Sequence, residues 1–396
     1  MEGKIAMKNK KIAALAIAIV LTANMALPAF AAENTEQDAP KSTAYLVSYS
    51  QIEQIVLDNN LQVENNELTL DNLMEEDELK KQYERISDSI DQTSATLAAV
   101  IGNASATQDL KTVAAGTSAA LAVLKTLFAS QEDASEDTIN LTELQIKQAN
   151  NQLVKAAQSL FSTYHQLQYN LESLKNNRTA LEDSVRAAQV RYQLGAGTAA
   201  AVEDAEASLA TLNKNITDLQ NQSLSIKYQM NQLLGHQYND QIVFGKMPDP
   251  DIKYVETIQL QDDIAEAQKA SYKIQITKLQ RSILNEDTHQ EKDKRKAKSN
   301  DIDAEIQKIS ASMATQLDTI KQQQAALALE QKNLDIAKRK WDQAVQQYEL
   351  GVISSITLNQ LKSNYLNQEI IVKTAKSTLF WNIESYRWLV KGLPAS

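Results

Sequence analysis

Three histidines, His165, His236 and His289, are the side chains best suited to acid–base or metal chemistry in this 396-residue chain. None stands with a carboxylate or a second histidine at a spacing that would build a metal site, and His165 falls inside a long heptad-patterned stretch. The chain has no cysteine, which removes thiolate ligands, thiol nucleophiles and disulfides together. No serine occupies a nucleophile elbow, and no glycine-rich phosphate loop is present. The sequence therefore offers no catalytic, cofactor-binding or metal-ligating constellation, and the chain reads as a non-enzyme. What it does carry is a repeated interruption. Residues 191–209 read RYQLGAGTAAAVEDAEASL, and the stretch 156 positions later reads QYELGVISSITLNQLKSNY.

Around each interruption the apolar residues keep alternating steps of three and four. Ile146, Ala149, Leu153, Ala156, Leu160, Tyr164, Leu167, Leu171, Leu174, Leu181, Val185, Ala188 and Tyr192 form one stripe, broken only at Arg178. Val202, Ala205, Leu209, Leu212, Ile216, Leu219, Ile226, Met230 and Leu233 continue it, broken at Ser223. The second copy runs from Ile302 through Met313, Leu327, Trp341 and Tyr348, then from Leu358 through Tyr365, Leu379 and Leu389. A narrow stripe held at a 3.5-residue period over many heptads predicts a supercoiled seam. Gly195 and Gly351 mark where each helix must stop, since glycine tolerates the left-handed conformation that ends helices. Thr198 and Ser354 then stand where a hydroxyl N-cap would start the return helix. The expected fold is all-α: two long antiparallel coiled-coil hairpins made by duplication, with arms of about 75–85 Å at 1.5 Å per residue.

Each hairpin follows a shorter helical stretch, with Asn60-Leu61-Gln62-Val63 matching Ser271-Tyr272-Lys273-Ile274. The expected organisation is a first helical repeat over 48–234, a connector over 235–257 with a short strand near Ile242 and Phe244, and a second repeat over 258–392. Within the repeats, 98–137 reads as an irregular or helical insert and 285–301 as a charged loop. Lys8, Lys10 and Lys11, an apolar run from Ile12 to Leu27 and an Ala-x-Ala site ending at Ala31 predict a signal peptide at 1–31. Residues 32–47 read as a flexible N-terminal segment. Cleavage removes four lysines and one glutamate, so the net charge of −10 becomes −13. An acidic, exported helical chain is a poor partner for nucleic acid, because phosphate would be repelled.

The duplicated repeat, with a Tyr-x-x-Gly tip, a closing Leu-Leu-Gly235 or Leu-Val-Lys-Gly392 and a D-N-N-L stretch at Asn59 and Asn60, resembles the outer membrane efflux protein family, the TolC-like export ducts. The likeness covers nearly all of the chain after the leader. It implies a homotrimer whose twelve helices close a hollow barrel in the cell envelope. It also implies a periplasmic adaptor (membrane fusion protein) and an inner-membrane pump docking at tips that carry Tyr192, Gly195, Thr198, Tyr348, Gly351 and Ser354. Two departures stand out. The slots where the family inserts transmembrane strands hold NEDTHQEKDKRKAKSND in the second repeat and an Ala/Ser/Thr-rich stretch with the single aromatic Phe128 in the first. Neither reads as lipid-facing strand. The aspartate that family members often place six residues past the tip glycine is replaced by Ala201 and Thr357, leaving Glu203 and Asp204 as candidate pore-entrance acidic residues.

A passive export duct is the leading expectation, and a non-conducting coiled-coil spacer or envelope interaction protein is the alternative. Contact of the far end with a membrane stays open. The basic run Lys292, Lys294, Arg295, Lys296 and Lys298 reads as a solvated loop or a contact for an anionic polymer or lipid. Phe380, Trp381, Tyr386 and Trp388 read as bundle packing. Leu121, Leu124, Leu127 and Phe128 fit a helix cap, an oligomer contact or a membrane-touching element, the oligomer contact being the favoured of the three.

Overall fold

The computed structural model describes residues 44–72, 79–102, 107–108, 110–118, 136–284 and 288–394. The predicted leader at 1–31 and the apolar turns at Leu121, Leu124, Leu127 and Phe128 lie outside them. The chain opens with strand β1 (Tyr45–Val47), a single 3-10 turn (Tyr49–Gln51), and helices α1 (Ile52–Asn59), α2 (Leu61–Asn72) and α3 (Leu79–Gly102). A short helical segment at 110–118 follows (α4). The first hairpin is α5 (Glu136–Gln193) with α6 (Ala199–Leu233). The connector holds β2 (Ile242–Phe244) and α7 (Ile252–Thr257). The second repeat is α8 (Leu260–Ala270), α9 (Tyr272–Ile283), and the hairpin of α10 (His289–Glu349) with α11 (Ser355–Val390).

The predicted stripes form the core. Leu153, Leu160, Leu167 and Leu171 of α5 are buried, as are Ile226 and Met230 of α6, Met313 and Ile320 of α10, and Leu379 and Tyr386 of α11. Burial thins towards the glycine turns: Val202, Leu358 and Leu361 are half-buried, while Tyr192 and Tyr348 are exposed. The thick part of each core lies at the other end, where Ile52, Val56 and Val63 pack with the first hairpin and Ala267 and Ile274 with the second.

α5 also lies along α11, antiparallel to it, and towards the tips this joint is polar. Asn367 accepts from Ser173 Oγ (3.3 Å) and donates to Asn177 Oδ1 (2.8 Å), Asn359 donates to Asp183 Oδ2 (3.2 Å), and Lys373 pairs with Glu172 (3.1 Å). Nearer the base, Trp388 Nε1 (2.9 Å) and Tyr49 Oη (3.2 Å) both donate to Gln158 Oε1. The four long helices therefore form a palisade in the order α6, α5, α11, α10.

Two expectations change. Tyr45–Val47 is not a flexible segment: it pairs in parallel with Ile242–Phe244, in the register Tyr45–Ile242 and Val47–Phe244. A three-residue strand has too little alternation to show in sequence, and its partner is nearly 200 residues away. The charged stretch at 285–301 is not a loop from residue 289 onward, because α10 begins there. Lys, Glu, Arg, Ala and Asp without Gly or Pro make adequate helix, and Thr288 caps it by accepting from Glu291 N at 3.2 Å. With 61 residues α10 spans about 90 Å, somewhat more than the sequence suggested. In the slot at 98–137, residues 98–102 complete α3 and 110–118 are helical. Among the described residues the only strands are β1 and β2, and no helix is long and apolar enough to cross a membrane.

Candidate functional site: the paired hairpin tips

Both hairpins turn by the same device. Leu194 ends α5, Gly195 adopts φ 71°, its N–H bonds Tyr192 O at 3.0 Å, and Ala196 N–H reaches back to Arg191 O at 2.8 Å. At the other tip Gly351 adopts φ 72°, its N–H bonds Tyr348 O at 2.9 Å, and Val352 N–H reaches Gln347 O at 2.8 Å. These paired bonds satisfy carbonyls that the helix end would otherwise leave open. Thr198 Oγ1 accepts from Ala201 N and Ser354 Oγ from Thr357 N, each at 3.2 Å, so both hydroxyls start the return helices as expected.

The structure brings the two tips together at one end of the palisade. Asp183, ten residues before the first turn, bonds Asn359, five residues after Ser354. Tyr192, Gly195, Thr198, Tyr348, Gly351 and Ser354 therefore share one surface. Glu203 and Asp204 lie on the first turns of α6 and are exposed. Their neighbour Glu206 accepts from Gln189 Nε2 across the hairpin at 3.0 Å.

Sequence reasoning missed how apolar this surface is. Leu194 is 77% exposed, Leu350 79%, Val352 70% and Ile356 61%. Large aliphatic side chains grouped at a turn, where polar residues would cost nothing, are a surface suited to a partner. The signal was present as Leu-Gly-Val-Ile in the second tip, where a solvated turn calls for Gly, Asn, Asp or Ser.

A second matched pair of joints lies at the opposite end. Asn60 accepts from Gln62 N (2.8 Å) and Val63 N (3.3 Å) to cap α2, while its Nδ2 donates to Leu233 O at 2.8 Å, tying the α1–α2 bend to the end of α6. Ser271 caps α9 in the same way through Ile274 N at 3.3 Å. Gly235 and Gly392 press on these bends: an added Cβ would lie 1.9 Å from Asn59 O and 2.2 Å from Ala270 O.

His165 packs among Phe161, Tyr164 and Tyr169. Burial pushes its pKa below the ordinary imidazole value, a hydrogen bond to the Gly245 backbone offsets this only in part, and Nε2 has no partner. His236 does have a carboxylate four residues on, with Nδ1 3.9 Å from Asp240 Oδ2, and it stacks on Tyr45. Among the described residues no group of three or more His, Asp or Glu side chains could hold a metal ion.

No family model matches the sequence, and no curated protein matches it. Solved structures do. The outer membrane protein VceC from Vibrio cholerae is 11% identical, with 87% of this chain and 96% of that one covered and a TM-score of 0.50. CusC, described in terms of folding and transmembrane channel formation, is 12% identical, with 87% and 97% covered and a TM-score of 0.52. At such identities the likeness concerns the fold: this chain has the duplicated helical-hairpin fold of TolC-like channel proteins, with only three-residue strands among its described residues.

Proposed function

We propose that this chain is the duct component of an export assembly in the cell envelope, a homotrimeric helical tube that passes cargo without transforming it. The observation that carries the reading is the open palisade with both tips at one end. α5 and α11 each have a long neighbour on both sides, whereas α6 and α10 border the sheet of helices with Leu224, Leu329 and Ile336 exposed. Copies arranged head to tail around an axis would place α6 of one against α10 of the next and satisfy both borders at once. Three copies give twelve helices. The apolar tips would then form a ring able to receive a periplasmic adaptor, with a pump in the inner membrane supplying the energy. Glu203 and Asp204 would sit near the mouth of that ring and bias it towards cations.

A second reading, a non-conducting spacer or envelope interaction protein, draws on the short strands: nothing among the described residues forms a barrel wall. Electron microscopy and mass measurement of residues 32–396 separate the two. A hollow three-fold ring supports the duct. A solid monomeric or dimeric rod refutes it and leaves the spacer.

A further inference from the structure

The end farthest from the tips departs in charge from the rest of the molecule. Over residues 278–298, at the end of α9 and the start of α10, seven basic residues stand against four acidic ones, a net of +3 within a chain of −10. Some of these cations fasten the two helices together. Arg281 Nη1 donates to Ser299 Oγ (3.1 Å), Lys298 Nζ to Gln280 Oε1 (2.9 Å) and Arg295 Nη1 to Leu284 O (2.9 Å). Others are not used internally. Lys278, Lys292, Lys294 and Lys296 are exposed and make no ion pair with the described residues. At 100° per residue Lys292 and Lys296 lie 40° apart, while Lys294 projects from the opposite side, and the run from Lys292 to Lys298 rises about 9 Å. The lysines thus form a collar around α10 and not a flat plate.

We infer that this collar is a binding surface for a flexible polyanion bearing repeated phosphate groups, such as an anionic envelope polymer, and that it anchors the end of the molecule opposite the tips. A flat anionic bilayer meeting this end would reach only the rim of the collar, because screening confines each charge to about 8 Å. It would also find almost nothing to bury: residues 285–301 contain no Phe, Tyr, Trp, Leu, Ile or Val, and Ile283 is the exposed apolar side chain beside them. A polymer can wrap the collar and engage lysines on both faces, releasing counterions as it does so. Single-stranded nucleic acid shares the phosphates, and binding it more tightly than polyphosphate in the same assay would overturn the inference. The collar belongs to each protomer, so the inference stands apart from ring closure.

The test is binding of linear inorganic polyphosphate to the purified protein, followed by titration calorimetry over a salt series. The combined variant K292Q/K294Q/K296Q keeps helix propensity and removes three side chains that hold nothing in place. It is expected to bind about ten- to hundredfold more weakly at 0.1 M salt, with the slope of log K against log salt shallower by about 2. K332Q/K338Q/K340Q removes the same charge from exposed sites farther along α10 and is expected to bind as the parent does. No polyphosphate binding, or an equal loss in both variants, overturns the inference. Capture of phosphatidylglycerol vesicles in preference to polyphosphate also overturns it and assigns the end to a membrane.

Discussion

Four glycines among the described residues take positive φ, and the structure separates them into two kinds whose replacement should differ by about a factor of two or more in free energy. At Gly195 and Gly351 an added Cβ meets nothing within 4 Å, so alanine there suffers only from the left-handed conformation, about 1–2 kcal/mol. Part of that is recovered because alanine restricts the unfolded chain by about 0.4–1 kcal/mol. Gly195→Ala should therefore cost about 1 kcal/mol. At Gly235 the same conformational cost applies, but the Cβ would also sit 1.9 Å from Asn59 O and 2.6 Å from Asn59 C, and at Gly392 it would sit 2.2 Å from Ala270 O. Those atoms are backbone and cannot swing away. The α1–α2 bend must move, which adds about 1–3 kcal/mol of overpacking and loosens the Asn60–Leu233 bond. Gly235→Ala and Gly392→Ala should each cost about 2–4 kcal/mol. Urea unfolding followed by circular dichroism at 222 nm measures the difference, and amide exchange at Leu61 and Gln62 locates it. A Gly235→Ala variant as mild as Gly195→Ala would show that the basal joint is not the rigid contact described.

Two further expectations follow from buried polar groups. Gln158→Leu leaves the Trp388 indole N–H without its acceptor and weakens the hold on Tyr49, at a cost of about 1–3 kcal/mol; Gln158→Leu combined with Trp388→Phe should lose less than the sum, as a double-mutant cycle will show. For His165 the folded pKa lies below the unfolded value near 6.5, so the unfolded chain binds the proton first and stability falls as pH drops below about 6.5. His165→Phe should flatten the stability profile below about pH 6.5, and a profile unchanged from the parent would refute the assignment.

The hairpins were legible because heptads repeat: the apolar positions return to nearly the same face every two turns, and a dozen coincident positions leave no other period that fits. The turns were legible because Leu-Gly followed by Thr198 or Ser354 combines the C-terminal and N-terminal helix signals within five residues. Other features carry no period. The α5–α11 joint is built from Ser173, Asn177, Asp183, Asn359 and Asn367, polar residues that read as solvent-facing until the partner helix is in place. Arg178 and Ser223 interrupt their stripes for different reasons. Arg178 faces water and pairs with Glu182, whereas Ser223 is buried and accepts from Gln168 Nε2 at 2.9 Å. The start of α10 was not legible as helix because its charge density matches that of a solvated loop, although helix propensity and the Thr288 cap favour helix.

The two joints between and within repeats also differ in how firmly they are held. At the base, apolar burial, capped bends and glycines packed so closely that an added Cβ would lie 2.2 Å or less from a backbone oxygen fix each short helix pair to its hairpin. Towards the tips, the first repeat meets the second through amides, a hydroxyl and a half-exposed Lys373–Glu172 pair, groups that water can replace at little cost. We expect a palisade built this way to be stiff at the base and to exchange its amides faster towards the tips. Duplication gives both tips the same construction: each copy carries the same turn, the same cap and the same thinning of its apolar seam. A ligand acting on the exposed leucines of the turns would therefore push on the part of the structure that resists least.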